Sequence, residues 1–139
     1  MAVAIAAAGG SVALARTNPG LAGQPYLPSD YQCFNNGAGA VQNSCANTVK
    51  TYCMALPVET SSHNVQVSAL SPNVTHAIGC EATATDRNSQ VTWHSGLRGT
   101  PAFNAFSVID LGTVSVPSFG ALFVCCNMPD TTLLLTVSW

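Results

Sequence analysis

The sequence predicts an all-β protein, an antiparallel β-sandwich of the Greek-key or jelly-roll kind with about seven or eight strands. Three observations predict this class. Short runs rich in β-forming residues fill the chain after residue 48, turn residues separate these runs every eight to twelve positions, and no helical period of comparable length occurs after residue 16. At 139 residues the chain fits one domain with a modest core.

An apolar, alanine-rich stretch opens the chain, and residues 1–16 are expected to form an arm or the remnant of a leader. Residues 13–15 read ALA, the small-x-small form of a signal-peptidase site, but the usual positively charged region before it is missing. The stretch is too short to cross a bilayer as a helix, so no transmembrane span is expected. In a mature chain the arm would pack on its own domain or add to a neighbouring copy. Its candidate contacts are Val3, Ile5, Val12 and Leu14.

Residues 17–48 are rich in proline, glycine and asparagine and are expected to form an extended segment ahead of the sandwich domain, residues 49–139. Pro19, Pro25 and Pro28 remove backbone donors from the first half, which is therefore expected to pair little. The second half is expected to be a loop with one short strand near residues 40–42.

The runs after residue 48 predict the remaining strands in order. Two of them alternate: NVQVSAL at residues 64–70, and VTHAIGCEATA at residues 74–84, which places His76 on an apolar face beside Ile78. A lone histidine on such a face is expected to have a structural role. The other runs are VKTYCMALP, QVTWH, FNAFSVIDL, GTVSV, FGALFVCCNM and TLLLTVSW.

Six cysteines predict disulfides, and therefore an exported protein in an oxidising compartment. No two of them form a C-x-x-C pair, and the three histidines are not spaced as zinc ligands, so neither a metal nor a cofactor is expected. The disulfide candidates are Cys33, Cys45, Cys53, Cys80, Cys125 and Cys126.

The adjacent pair Cys125 and Cys126 restricts the possible bridges. Neighbouring residues of a strand face opposite ways, so Cys126 is expected to point into the core and Cys125 outward. This favours a bridge from Cys126 to Cys80 or Cys53, and one from Cys125 to a cysteine of residues 33–48. A vicinal bridge between the two is the rarer alternative.

Residues 31–139 contain the stretches YQCFNNG, TYCMALP, AIGCEATATDRNS and GALFVCCNMPDTTLLLTVSW. In these stretches the chain resembles a loose group of small secreted all-β proteins of myxobacteria and related bacteria. The resemblance implies secretion and an all-β fold. It matches the usual four cysteines of the group to Cys33, Cys53, Cys80 and Cys126. On this resemblance, Cys45 and Cys125 would form an additional pair.

Motifs for catalysis are missing from the sequence, and the protein is not expected to be an enzyme. No G-x-S-x-G elbow is present, and the neighbouring His94 and Ser95 diverge on a strand, so they cannot form a nucleophile–base pair. Glu81 and Asp86 flank a strand end. A charged turn explains them more simply than a pair of glycosidase carboxylates does.

Charge and aromatic content limit the possible partners. Only 7% of residues are charged and the net charge is −2, which leaves no basic stripe for nucleic acid. Aromatic residues could stack on sugar rings, although the core is expected to use most of them. The candidates are Trp93, Trp139, Tyr26, Tyr31, Phe103 and Phe106.

The leading functional hypothesis is an exported structural protein that self-assembles into an extracellular fibre, tube or surface coat. The apolar arm and the C-terminal run TLLLTVSW, which could pair with another copy, support it. The alternative is a monomeric secreted module that binds a glycan or a surface protein. A secreted hydrolase is the least expected.

Overall fold

The computed structural model describes residues 16–139, which form two antiparallel sheets packed face to face. The predicted all-β sandwich is confirmed. The candidate arm contacts Val3, Ile5, Val12 and Leu14 lie outside the described residues.

The strands and 3-10 turns follow one another along the described chain. The strands are β1 (Thr17–Pro19), β2 (Gln24–Pro25), β3 (Phe34–Gly37), β4 (Ala40–Asn43), β5 (Val49–Leu56), β6 (Ser62–Ser71), β7 (Gly79–Thr85), β8 (Val91–His94), β9 (Arg98–Gly99), β10 (Ala105–Ser115), β11 (Ala121–Pro129) and β12 (Leu133–Ser138). The 3-10 turns are Gly20–Ala22, Pro28–Cys33 and Val74–His76.

Each sheet has five strands in line and one short strand beside them. Sheet A has the order β10-β6-β12-β4-β3, with β1 next to β12, and sheet B has the order β2-β5-β11-β7-β8, with β9 next to β7. The core lies between the sheets, because alternate residues of each long strand point inward. Val65, Val67 and Ala69 of β6 are fully buried, as their alternation predicts.

The C-terminal strand β12 lies inside sheet A. It pairs with β6 along one side, while β4 and β1 share its other side. The prediction that TLLLTVSW could pair with another copy is therefore wrong, since its backbone groups already have partners on both sides. The long edge strand of this sheet is β10.

Residues 17–48 contribute β1 to β4 to the two sheets. The first half, expected to pair little, supplies β1 and β2, and the second half, expected to hold one short strand, supplies β3 and β4; each pairs over two to four residues. Pro25 lies on the edge strand β2, where a missing backbone donor is tolerated. The short strand predicted near residues 40–42 is β4.

The predicted strand position of His76 is wrong, because residues 74–76 form a 3-10 turn. The side-chain oxygen of Asn73 accepts hydrogen bonds from the backbone N–H groups of Thr75 and His76 at 3.0 and 3.1 Å, which caps this turn. Val74 is 71% exposed, and β7 begins only at Gly79.

Three disulfides join the six cysteines, and two of them fasten β11 to both of its neighbours. The register places Cys125 opposite Cys53 of β5 and Cys126 opposite Cys80 of β7. The bridge from Cys126 to Cys80 is thus the correct one of the two alternatives. Three disulfides in a small domain indicate an oxidising environment.

The partner predicted for Cys125 is wrong. Cys125 bridges to Cys53, while Cys33 and Cys45 bridge to each other. The additional pair of Cys45 and Cys125 that the resemblance implies is wrong for the same reason. Both thiols of β11 find partners within sheet B because β11 is the central strand, between β5 and β7.

The core residue Tyr52 is expected to make the stability of the fold depend on pH in the alkaline range. Its ring lies 4.9 Å from that of Phe34, and burial raises the pKa of its hydroxyl above the ordinary value of about 10, with a further rise from nearby Tyr31. A raised folded-state pKa gives stability that is present below about pH 10 and is lost as the pH rises through the folded pKa.

We therefore expect the free energy of unfolding to fall more steeply above about pH 10 in the native protein than in a Tyr52→Phe variant. Denaturant unfolding at a series of pH values measures this, and the variant also controls for alkaline damage to the disulfides. Parallel pH curves for the two proteins would contradict the prediction.

Candidate functional site

The outer face of sheet A carries a line of five side chains that crosses five strands. The register places Phe106 of β10 opposite Leu70 of β6, then Leu133 of β12, Gln42 of β4 and Asn35 of β3. Directly opposite residues of antiparallel strands point to the same face, so these five side chains form one row. We call it the cross-strand row.

The burial of the neighbouring residues shows which face the row occupies. Ala69, Leu134 and Val41, each next in sequence to a member of the row, are fully buried in the core. The row must therefore point away from the core. Phe106 is 65% exposed, while the two leucines of the row are half-buried between their neighbours.

Two further rows lie on the same face, each about 7 Å from the next. The second row contains Val108, Ser68, Thr136 and Pro19, and the third contains Asp110, Gln66, Ser138 and Thr17. Within the three rows, Asp110 is the one charged side chain. The face is otherwise made of hydroxyl, amide and apolar groups.

The edge strand β10 is irregular at the point where it carries its charge. The register shifts between Asp110 and Gly112, and the Asp110 carboxylate accepts a hydrogen bond from the N–H of Gly112 at 2.9 Å. Gly112 has φ +86°, a conformation that favours glycine. A bulge and a charge both discourage edge-to-edge pairing. The face of the sheet is therefore better suited to a partner than its edge.

The cross-strand row leads into a cleft of about 250 Å³. We call it the Asp130 cleft, and its lining residues are Gln42, Asn43, Ser44, Ala46, Asp130 and Thr131. Gln42 belongs both to the cleft and to the row. A ligand lying along the row could therefore extend into the cleft without a break.

Asn43 holds the wall of the cleft in place. It is fully buried, and its amide N–H donates to the carbonyl oxygens of Met128 and Thr48 at 2.8 and 3.1 Å. Its side-chain oxygen accepts from the N–H of Cys45 at 3.1 Å. The bridge from Cys45 to Cys33 fastens the same loop covalently. The cleft is thus a fixed feature of the fold.

The Asp130 carboxylate uses both of its oxygens inside the protein. One lies 2.9 Å from Nε2 of His76, and the other accepts from the N–H of Asn47 at 2.9 Å. The other ring nitrogen of His76 lies 2.9 Å from the side-chain oxygen of Asn73. His76 therefore connects the 3-10 turn to the cleft, which is a structural role although not in the predicted position.

Replacing Asn43 with alanine is expected to lower the free energy of unfolding by about 2 to 3 kcal/mol, because buried carbonyl and N–H groups would lose their partner. Chemical denaturation measures the loss. The matched control is Asn36→Ala, which changes an exposed asparagine of β3. A loss of similar size in the control would contradict the argument from buried hydrogen bonds.

Two of the four residues named above in connection with catalysis, Ser95 and Asp86, form hydrogen bonds with the backbone. The Ser95 hydroxyl accepts from the N–H of Ala82 at 2.9 Å and donates to the carbonyl of Gly96 at 2.8 Å. Asp86 closes the turn between β7 and β8 by accepting from the N–H groups of Asn88 and Gln90.

Two other kinds of feature are absent from residues 16–139. No group of three or more His, Cys, Asp or Glu side chains there is placed to hold a metal ion. Over the same residues, no helix has the length and apolar character needed to cross a membrane.

The aromatic residues are divided between core and surface in a way that the sequence did not predict. Trp139 is 8% exposed and Trp93 packs against the core. The expectation that the core uses most aromatic residues is wrong, because several of them are exposed: Tyr26, Tyr31, Phe103, Phe106, Phe119 and Phe123. Of these, Phe106 lies in the cross-strand row.

Comparison with known proteins identifies the fold. No protein-family model matches the chain, and no curated protein matches it. One similar solved structure is the GH26-CBM35 β-(1,4)-mannanase of Podospora anserina, with a TM-score of 0.57 and 10% identity over 89% of this chain and 27% of that chain. Another is the isomalto-dextranase of Arthrobacter globiformis T6 in complex with panose, with a TM-score of 0.52 and 16% identity over 76% of this chain and 20% of that one.

The chain spans less than a third of either of these solved structures. At such low identity the likeness concerns the fold alone. The sandwich described above thus recurs as one part of longer chains.

Proposed function

We propose that this protein is an exported glycan-binding module, and that its ligand lies along the cross-strand row and enters the Asp130 cleft. The observation that carries the proposal is the row itself. An exposed phenyl ring, two half-buried leucines and two amides stand in one line across the sheet. The row therefore begins with apolar groups and ends with hydrogen-bonding groups.

This sequence of groups suits the chemistry of a sugar polymer. A sugar ring presents C–H groups on its faces and hydroxyl groups around its rim. The negative face of an aromatic ring attracts the C–H groups, and amides can both donate to and accept from hydroxyl groups. Phe106 would contact a sugar face, while Gln42 and Asn35 would bind hydroxyl groups further along the chain.

The dimensions and stiffness of the surface also support a polymeric ligand. Five strands at their usual spacing give the row a length of roughly 19 Å. The sheet is internally hydrogen-bonded, and the bridge from Cys33 to Cys45 fixes the loop at the cleft. A surface that is already ordered loses little conformational entropy when a ligand binds.

The names of the two structural neighbours agree with this proposal. One is called a mannanase and the other an isomalto-dextranase, solved with panose. The likeness shows the fold alone, so the names of these neighbours do not establish a ligand. They agree with the glycan that the cross-strand row indicates independently. Export is supported by the three disulfides.

Affinity electrophoresis of the unreduced protein in gels that contain single soluble polysaccharides tests the proposal. We expect at least one polysaccharide to retard the protein, and oligosaccharides of the same sugar to release it. Normal migration in every gel by a protein that is folded and monomeric would contradict the proposal.

Self-assembly into a fibre, tube or coat stays a prediction. Light scattering of the intact chain and of a chain without residues 1–16 tests it. Polymers that form only with the arm would support assembly, and two monodisperse monomers would contradict it. The same measurement gives the oligomeric state, and therefore shows whether another copy could cover the cross-strand row in the binding experiment.

A further inference from the structure

We infer that the glycan bound at the cross-strand row is an uncharged polymer; this inference rests on the proposed function. The placement of the charges on the fold carries it. Across the three rows the one charge is that of Asp110. The cleft adds a second carboxylate, that of Asp130.

The chain has four Lys and Arg residues, and none of them belongs to the three rows or lines the Asp130 cleft. Arg16 forms an ion pair with Glu59 at 2.8 Å, and Lys50 of β5 forms one with Asp30 at 2.8 Å. Arg87 lies in the turn between β7 and β8, and Arg98 lies on β9. The last two residues therefore belong to sheet B, on the other layer of the sandwich.

An anionic glycan would meet the carboxylates of Asp110 and Asp130 here, and no lysine or arginine would be present to replace its lost hydration. Binding of uronate or sulfate groups normally depends on arginine or lysine, which supply charged donors. Like charges at close range oppose binding. Acidic polysaccharides are therefore expected to bind at least tenfold more weakly than uncharged ones of equal length.

A polymer of amino sugars is also a poor match. Its positive charges repeat along the whole chain, whereas the row and the two rows beside it offer only Asp110. The Asp130 carboxylate already uses its two oxygens, on His76 and Asn47. Apart from Asp110, the three rows contain ten neutral hydroxyl, amide or aliphatic side chains, together with Phe106 and Pro19. They suit hydroxyl-bearing, uncharged sugars.

The test compares glycans of equal length that are uncharged, acidic or amino-substituted, by isothermal titration calorimetry at low salt. The key variant is Ser68→Lys, which places a cation in the centre of the second row, between Val108 and Thr136. It is expected to raise affinity for the acidic glycan at least tenfold. Thr136→Lys serves the same purpose if the first variant does not fold.

The matched control is Thr83→Lys. Thr83 lies on β7, between Phe123 and His94 on the outer face of sheet B, so it adds the same charge to the opposite layer. This control is expected to leave affinity for the acidic glycan unchanged. A gain as large as that of Ser68→Lys would show that net charge, and not this face, decides binding, and would overturn the inference.

The other outcomes separate this inference from the proposal beneath it. Preference of the native protein for uncharged glycans, together with the gain in Ser68→Lys, supports the inference. Equal or stronger binding of acidic or amino-substituted glycans would overturn the inference and leave glycan binding itself intact. Failure to bind any of the three glycans would overturn both.

Discussion

Replacing Cys80 and Cys126 together with alanine is expected to lower the free energy of unfolding by about 4 to 5 kcal/mol. The bridge joins residues 46 positions apart, and the chain-entropy model gives about 4 kcal/mol for a loop of that size. Both cysteines are fully buried, so the lost sulfur atoms also leave a small cavity in the core. Denaturant unfolding followed by circular dichroism measures the change.

The control for this prediction is the pair Cys33→Ala and Cys45→Ala. That bridge spans only 12 positions, for which the same model gives about 3 kcal/mol. Removing the bridge between Cys80 and Cys126 is expected to lower the free energy of unfolding more than removing this one. A Cys80 and Cys126 variant that no longer folds would be the extreme form of this result. An equal or larger loss in the control would contradict the ranking.

Replacing Phe106 with alanine is expected to lower glycan affinity about tenfold or more, while stability changes by less than about 0.5 kcal/mol. A tenfold loss corresponds to about 1.4 kcal/mol, which is within the usual range for one aromatic contact and the apolar area that it buries. Stability is expected to hold because the ring is 65% exposed. Calorimetric titration and thermal unfolding measure the two quantities.

Phe119→Ala is the matched control for Phe106→Ala. Phe119 is 85% exposed, lies before β11 and is outside the cross-strand row. Its loss is expected to leave glycan affinity unchanged. Equal losses in the two variants, or full affinity without Phe106, would exclude the row as the binding surface.

The sequence predicted those parts of the fold that depend on local alternation. In β6, Val65 and Val67 alternate with polar residues, and a period of two is enough to place them on the inner face. The same rule predicted that Cys126 faces the core while Cys125 faces outward. Residue 126 is fully buried and residue 125 only partly so.

The sequence failed where a local hydrogen bond or a distant partner decided the structure. The strand predicted from Val74 onward was displaced because Asn73 caps a turn there, and side-chain capping is stronger than a three-residue alternation. Cys125 was assigned the wrong partner because sequence alone does not show that β5 lies beside β11.

The candidate binding surface could not be predicted at all, because it is made by register. Asn35 and Phe106 are far apart in the chain, and only the pairing of five strands brings them into one row. A partial signal exists in the run FNAFSVIDL, where Phe106 and Val108 alternate with the buried Ile109 and Leu111. Both faces of that run are apolar, so the alternation did not reveal which one is exposed.

The adjacent cysteines of β11 also affect which register this strand adopts while the disulfides form. Neither bridge of β11 can close until the chain has been synthesised through residue 125, whereas Cys33 and Cys45 can join much earlier. A slip of β11 by one residue would turn Leu122 and Val124 outward and move each thiol away from its partner. The two bridges therefore select the native register of β11, because only that register brings both thiols to their partners while the apolar side chains of β11 stay buried. Wrongly oxidised molecules would expose apolar side chains and would therefore be prone to aggregate.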